Sequence, residues 1–155
     1  MKLANKVQEW VISKDIEHQF TVNEDDQTSM LKFSYLLNSQ KFLGIIETDE
    51  QRDAIKAFIY APFNVLPNKI NEFCILLNRL NLVENFGAVS VASDGSIRWR
   101  HFVDFEKTDP SIEAIDNLFN PGGSILHGWF DELTAVALTN TTAQEIFEFI
   151  EESNS

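Results

Sequence analysis

Hydrophobic positions near the start of the chain change from a helical spacing to a strict alternation. Leu3, Val7, Trp10 and Val11 are spaced as one face of a helix that ends at Lys14-Asp15. After this helix, apolar and polar residues alternate, as in strands that bury one face. The alternation and the polar turns between the segments predict three to four antiparallel strands, in EHQFTVNE, MLKFSYLL, KFLGIIET and AIKAFIYAPF.

A second helix is predicted to begin at Pro67, where a missing backbone N–H does no harm. Its apolar positions recur at helical spacing, at Ile70, Phe73, Cys74, Leu77 and Leu80. Because Cys74 lies in this stripe, the sequence predicts a buried thiol that acts as a small hydrophobic side chain.

Residues 88–105 predict a hairpin, since the strands AVSVAS and SIRWRHFVDF are separated by Asp94-Gly95. Asp-Gly favours a two-residue type I′ turn, in which both central residues have positive φ. Alternation along the second strand puts Trp99 and His101 on one face, and Arg98 and Arg100 on the other.

The C-terminal third is predicted to be helical with an interruption. Asp109-Pro110 has the pattern of an N-cap followed by a first-turn proline, and residues 120–123, Asn-Pro-Gly-Gly, predict a break. Apolar stripes lie on both sides of this break, at Ile112, Ile115, Leu118 and Phe119 before it and at Ile125, Trp129, Leu133 and Val136 after it. Thr142 and Glu145 form a capping box that starts a last helix.

The order of predicted elements is helix, three or four strands, helix, two strands and closing helices. Hairpin turns link neighbouring strands, and no repeated strand–helix–strand unit occurs. We therefore predict an α+β fold, a mostly antiparallel sheet with helices packed against it, in a single domain over residues 1–155.

The charge distribution excludes several classes of partner. The net charge is −12, and the 48 residues from Thr108 onward contain nine acidic residues and no Lys or Arg. Nucleic acid and anionic lipid repel such a segment, so neither is expected as a partner, whereas a basic protein surface would be attracted. No apolar run approaches a membrane span, and residues 1–15 are too polar for a signal-peptide core, so we expect a cytoplasmic protein.

The residue patterns that carry familiar enzyme chemistry do not occur. His18, His101 and His127 lack the close spacing of metal ligands, and a single cysteine excludes a cysteine-cluster metal site. There is no GxSxG motif, and the segment NPGGS lacks the lysine and the preceding strand of a phosphate-binding loop. We predict no catalytic residue, no metal site and no cofactor.

The segment Arg98-Trp99-Arg100-His101 is the remaining candidate for binding chemistry. Arg98 and Arg100 are predicted about 7 Å apart on one side of a strand, which suits a carboxylate or another anion. The alternative is a solvated face whose arginines pair with acids on neighbouring strands. Arg98, Arg100 and His101 are thus candidate contacts to an anion or to a partner protein.

The stretch from Leu77 to Glu106, LNRLNLVENFGAVSVASDGSIRWRHFVDFE, resembles the most recognisable part of the YbjN-like family of bacterial sensory transduction regulators. The similarity consists of a helix ending in L-N-R-L-N, a turn with Phe86-Gly87, a strand, the Asp-Gly turn and a strand of alternating basic and aromatic residues. Upstream, EHQFTVNE, FLGII and APFNVLP match in order. Family members often continue with one long helix after the last strand, whereas NPGGS predicts an interruption here.

The resemblance implies a fold like that of type III secretion chaperones, commonly in a homodimer, and binding of protein segments rather than catalysis. The first hypothesis is therefore a non-enzymatic protein-interaction or chaperone-like regulatory protein of bacterial type. The 13 phenylalanines also favour a homodimer. The alternative hypothesis is a small-molecule-binding protein or an enzyme, with a site assembled in space near the 97–105 strand.

Overall fold

Helices and strands follow the hydrophobic pattern along most of the chain. The computed structural model describes residues 1–154. The elements, in chain order, are α1 (Lys2–Ser13), β1 (His18–Asn23), β2 (Thr28–Leu37), β3 (Gln40–Asp49), β4 (Ala54–Asn64), a 3₁₀ turn (Pro67–Lys69), α2 (Ile70–Val83), β5 (Ala88–Val91), β6 (Ser96–Asp104), α3 (Ile112–Gly128), α4 (Phe130–Leu138) and α5 (Ala143–Ser153).

The strands form one antiparallel sheet in the order β1-β2-β3-β4-β6-β5. The first four strands are consecutive hairpins, because polar turns of a few residues separate the apolar alternations. The C-terminal hairpin then adds β6 beside β4, which leaves β1 and β5 at the two edges. The predicted α+β class and the mostly antiparallel sheet are confirmed.

All five helices lie on one side of the sheet. The helices α1 and α3 cross the central strands, α2 packs beside β5, and α4 and α5 pack against α2. The largest fully buried side chains come from this helical layer and from the strand face beneath it, and they are Leu3, Leu31, Ile46, Ile55, Ile59, Phe73, Leu76, Leu80, Ile97, Trp99, Ile115 and Phe119. The opposite face of the sheet therefore carries no helix from residues 1–154.

A polar cluster joins α1 to α3 at the border of the core. Trp10 Nε1–H donates to Asp116 Oδ1 at 2.7 Å, and Lys14 Nζ lies 2.9 Å from the same oxygen. Burial alone would raise the pKa of the Asp116 carboxyl, but the hydrogen bonds from Lys14 and Trp10 and the Lys14 charge lower this pKa overall. The Trp10 ring also packs against Phe33 and Phe119, so the cluster orients an aromatic contact between both helices and β2.

The predicted break at residues 120–123 is wrong, because α3 is continuous from Ile112 to Gly128 and contains Pro121. Gly122 and Gly123 are buried where the helix crosses the sheet. A Cβ atom on Gly122 would overlap the Trp99 ring, and one on Gly123 would overlap Tyr35. These close approaches stabilise the helix through tertiary packing and outweigh the low helix propensity of proline and glycine.

Because α3 is continuous, a long helix does follow the last strand. The interruption expected to distinguish this chain from its family is therefore not present at residues 120–123. The helix ends at Gly128, and Trp129 separates α3 from α4. Pro121 has no backbone N–H, so the carbonyl oxygen of Asn117 lacks the hydrogen bond that it would otherwise accept within α3. Asn117 is exposed, so water can hydrogen-bond to that carbonyl.

The prediction that Cys74 is buried is wrong, since this side chain is exposed. The buried stripe of α2 consists of Phe73, Leu76, Leu77 and Leu80. Ile75, Leu76 and Leu77 are all apolar, so the sequence permits two overlapping stripes, and packing against β5 and α4 selects one of them. Ile75 is consequently exposed as well.

Two local predictions have the right element and the wrong geometry. The hairpin between β5 and β6 forms, but only Gly95 has positive φ, and Gly95 N–H donates to Ala92 O. The connection is therefore a three-residue loop with glycine in the left-handed position, and not a two-residue type I′ turn. Likewise, α3 is capped by Ser111, whose hydroxyl accepts from Ala114 N–H at 3.1 Å, and not by Asp109.

The last helix is attached to α2 and to the turn before α2 by polar contacts as well as by apolar packing. Thr142 caps α5 by accepting from Glu145 N–H, as predicted, and Lys69 Nζ donates to Thr141 O at 2.7 Å. The Glu72 carboxylate accepts from Ala143 N–H at 2.5 Å, and the Arg79 guanidinium stacks over an aromatic ring of α5. Only Ala143 of α5 is fully buried, and Ile146 and Phe147 are partly buried against the core.

Replacing the buried glycines tests the close approach of α3. We expect Gly122→Ala to lower the free energy of unfolding by about 1–3 kcal/mol, because the methyl group displaces the Trp99 ring. Gly128→Ala is the matched control, since a Cβ there meets nothing within 4 Å, and it should change stability by at most about 1 kcal/mol. Urea unfolding of both variants decides the question, and equal stabilities would contradict the packing described for α3.

The Asp116 cluster predicts a pH-dependent stability. Since the folded-state pKa lies below the ordinary value of about 4, the contribution is present above that value and is lost as pH falls through the lowered pKa. Asp116→Asn should cost about 1 kcal/mol near neutral pH, and this cost should shrink in acid. Urea unfolding at several pH values measures the difference, and a cost independent of pH would refute the assignment.

Candidate functional site

The face of the sheet opposite the helices carries an ordered set of side chains. The strand register aligns Lys32, Ile45, Phe58 and Arg100 in one row across β2, β3, β4 and β6. The adjacent row contains Ser34, Leu43, Tyr60 and Arg98. These residues come from four strands, and the antiparallel pairing brings them onto one surface.

Four apolar or aromatic residues at the centre of this face are surrounded by five cations. The centre consists of Leu43, Ile45, Phe58 and Tyr60, and the cations are Lys32, Lys41, Lys56, Arg98 and Arg100. We call these nine residues the basic-rimmed patch. Five of the 12 Lys and Arg residues of an acidic chain thus lie around one part of one sheet face.

The cations of the basic-rimmed patch form no ion pair in the part of the chain that the structure describes. The ion pairs there involve Lys2, Lys6, Lys14 and Arg52, which lie outside the patch. Carboxylates do occur on the same sheet face, at Glu47, Asp49 and Asp104. Glu47 is the in-register neighbour of Lys56, and Asp49 and Asp104 lie further toward the same end of the strands, so the charge of this face is unevenly distributed.

Arg98 packs against aromatic rings and not against an acid. Its guanidinium carbon lies 5.4 Å from the centre of the Phe58 ring, and Nη1–H donates to the Tyr60 hydroxyl at 3.5 Å. Pairing with acids of neighbouring strands, the alternative interpretation, is therefore wrong for this arginine. Ile45 and Phe58 are only 9% and 7% exposed although no helix covers them. Arg98 covers Phe58, and the stems of long cationic side chains cover apolar surface in this way.

His101 does not join the two arginines. It lies on the helix-covered face, where its Nδ1–H donates to the carbonyl oxygen of Leu118 at 3.0 Å. Its ring packs against Trp99 and Phe86. The structure therefore brings Arg98 and Arg100 together with three lysines, and separates His101 from them by the thickness of the sheet. A role of these three residues in binding stays a prediction.

Two open clefts lie on the same sheet face, away from the arginines. One has a volume of about 430 Å³ and is lined by residues including Thr21, Met30, Glu47 and Lys56. The other, of about 550 Å³, lies near the start of β1 and includes Leu36 and Lys41. Neither cleft contains Arg98, Arg100 or His101, so neither matches the predicted small-molecule site near residues 97–105.

The β5 edge of the sheet is occupied by a side chain of α2. The Asn81 amide donates to Val89 O and accepts from Val89 N–H, both at 3.0 Å. These bonds occupy the Val89 groups that a further strand would bind, so they hinder strand addition at this residue. The broad face of the sheet is therefore a better binding surface than its β5 edge.

A cluster of metal ligands and a helix suited to cross a membrane are both absent from residues 1–154. Within that range, no three His, Cys, Asp or Glu side chains converge as a ligand set. Among the helices of the same range, none combines the length and the apolar composition that crossing a bilayer requires.

Sequence patterns identified the two arginines of the basic-rimmed patch but not its other members. Alternation assigns Lys32 and Lys56 each to one face of its own strand. It cannot tell which strands are neighbours, or in which register they pair. The sequence pattern also does not reveal the apolar centre of the patch. Around Gly44 and Ala57, β3 and β4 carry apolar residues on both faces, so alternation cannot tell which face is buried beneath helices.

Comparison with known proteins identifies the family of this chain. The YbjN family model, described as "Putative bacterial sensory transduction regulator", matches residues 4–135. No curated protein matches the chain in sequence. The family match includes all six strands, and therefore the whole basic-rimmed patch, while α5 lies beyond it. The resemblance inferred from the sequence is thus confirmed, and the chain belongs to the YbjN family.

Proposed function

We propose that this protein is a non-enzymatic regulatory protein that binds a partner protein on the basic-rimmed patch. The family description supports a regulatory role of bacterial type. The observation that carries the proposal is the group of five cations, none of them in an ion pair among residues 1–154, around Leu43, Ile45, Phe58 and Tyr60.

The composition of the patch is that of a protein-binding surface. Arginine and aromatic residues are enriched at the energetically important centres of interfaces, where they combine apolar area with directed hydrogen bonds. Arg98, Phe58 and Tyr60 are already in contact, so part of the surface is organised before a partner arrives. Such preorganisation lowers the entropic cost of binding.

Catalysis has less support than binding at this surface. The patch lies on the broad face of a sheet, and no histidine or cysteine belongs to it. His101, the residue with the most suitable acid–base chemistry nearby, contacts Leu118 on the other face. The two clefts share only rim members and Leu43 with the patch, and neither contains Phe58, Tyr60 or Arg98, the residues that contact one another at its centre.

A homodimer, which the family resemblance implies, is a separate proposal. It is supported by exposed apolar side chains at the end of α2 and just after it, at Leu82, Val83 and Phe86. Sedimentation at tens of micromolar should give the dimer mass, and a clean monomer mass would refute it.

Charge reversal of the two arginines tests the partner-binding proposal. The variant Arg98→Glu/Arg100→Glu should recover at least tenfold less of the specific partner from a bacterial lysate than the wild-type protein does. The expected loss arises because two charge-assisted contacts become repulsive. Quantitative mass spectrometry of the captured proteins, with chemical denaturation to verify folding of the variant, provides the measurement.

The matched control is Arg52→Glu/Lys107→Glu, which changes the net charge equally. Both residues are exposed and lie in turns outside the patch. This control should capture the same proteins as the wild type. Equal capture by the arginine variant would sink the proposal, because binding would then not depend on the patch.

A further inference from the structure

We infer that the partner segment is an acidic amphipathic helix that lies across the basic-rimmed patch. This inference rests on the proposed function, and it adds the chemistry and the secondary structure of the ligand. Three features of the uncovered sheet face support it. They are the positions of the cations, the uneven distribution of charge along the strands, and the pairing of the backbone groups of these strands within the sheet.

The cations enclose an apolar surface of the size of a short helix. Lys32 and Arg100 are at opposite ends of one row, with Ile45 and Phe58 between them. Three strand spacings separate the two cations, which corresponds to about 14 Å. About ten residues of α-helix span that length. A helix with carboxylates near both ends and apolar residues between them therefore matches the row.

Charge complementarity selects an acidic helix. Lys32, Lys41, Lys56, Arg98 and Arg100 have no ion-pair partner among residues 1–154. Carboxylates of a ligand would supply that partner in a partly desolvated site, where charge-assisted bonds are stronger than in water. The carboxylates of Glu47, Asp49 and Asp104 lie toward one end of the strands, so they would direct an acidic ligand toward the rows of Arg98 and Arg100.

Backbone hydrogen bonding favours a helix over an extended segment. The patch belongs to β2, β3, β4 and β6, and each of these strands has a paired neighbour on both sides. Their backbone groups are consequently directed into the sheet and are not available to a ligand on the face. A helix satisfies its own backbone and packs on a sheet through side chains, whereas an extended segment would lose backbone hydration without replacement.

A second copy of the chain is a poorer occupant than a foreign helix. The acidic helix α5 has suitable chemistry, with Glu145 and Glu148 beside Ile146 and Phe149. However, Ile146 is packed against the core of its own chain, so Phe149 is the exposed member of this apolar pair. Glu72 accepts from Ala143 N–H and Arg79 stacks over Phe147, so presenting more of the apolar side of α5 than Phe149 would break existing contacts.

Selection from a library of displayed helical peptides, randomised at their surface positions, tests the inference. The wild-type protein should enrich peptides that combine several Asp or Glu residues with an apolar stripe. A synthetic copy of an enriched peptide should bind at least tenfold more weakly to Arg98→Glu/Arg100→Glu, and equally well to Arg52→Glu/Lys107→Glu. Replacing its Glu residues by Gln should also weaken binding at least tenfold, and raised salt should weaken binding progressively.

Other outcomes overturn the inference in distinguishable ways. Enriched peptides without excess acid, whose binding is still lost in Arg98→Glu/Arg100→Glu, would overturn the acidic chemistry and leave the patch as a binding surface. Peptides whose binding survives in that variant would contradict both the inference and the proposed function. Self-association of the wild-type chain that disappears in the same variant would assign the patch to a second copy and overturn the foreign helix.

Discussion

The architecture depends on the close approach of α3 to the sheet, where Gly122 and Gly123 lie against Trp99 and Tyr35. Side chains larger than hydrogen at these positions would hold the helix away from the fully buried Trp99 ring. With α3 in place, Trp10 of α1 can pack between Phe33 and Phe119 while its indole N–H reaches Asp116. The helices therefore cover one face of the sheet, and no helix of residues 1–154 covers the other.

The side chains of the uncovered face shield its apolar centre in the free protein and keep their charges accessible to a partner. Its apolar centre, at Ile45 and Phe58, would be a liability if it were fully exposed to water. Arg98 reduces this exposure by stacking over Phe58, and it keeps its charge accessible because no carboxylate of residues 1–154 pairs with it. The same side chains can thus cover the apolar centre in the free protein and bind an acidic partner.

Local periodicity predicted the elements well, because it depends only on neighbours along the chain. The separation of Trp99 from Arg98, and the apolar stripe of α1, follow from periods of two and of about 3.6 residues. Cys74 was misplaced because three consecutive apolar residues of α2 permit more than one stripe, and only contact with β5 and α4 decides between them. The helix through Pro121 and Gly122 was missed for a related reason, since its stabilising contact with Trp99 is distant in sequence. The basic-rimmed patch depends on strand order and register, so alternation located Arg98 and Arg100 but could not join them to Lys32 and Lys56.

Methyl NMR of the protein with its captured partner tests the central claim most directly, because neighbouring residues of β3 lie on opposite faces of the sheet. Leu43 and Ile45 belong to the basic-rimmed patch, whereas Ile46 lies beneath the helices and serves as an internal control. Binding on the uncovered face predicts that the methyl resonances of Leu43 and Ile45 shift strongly, while that of Ile46 shifts little. Strong shifts at Ile46, with Leu43 and Ile45 unchanged, would contradict the account.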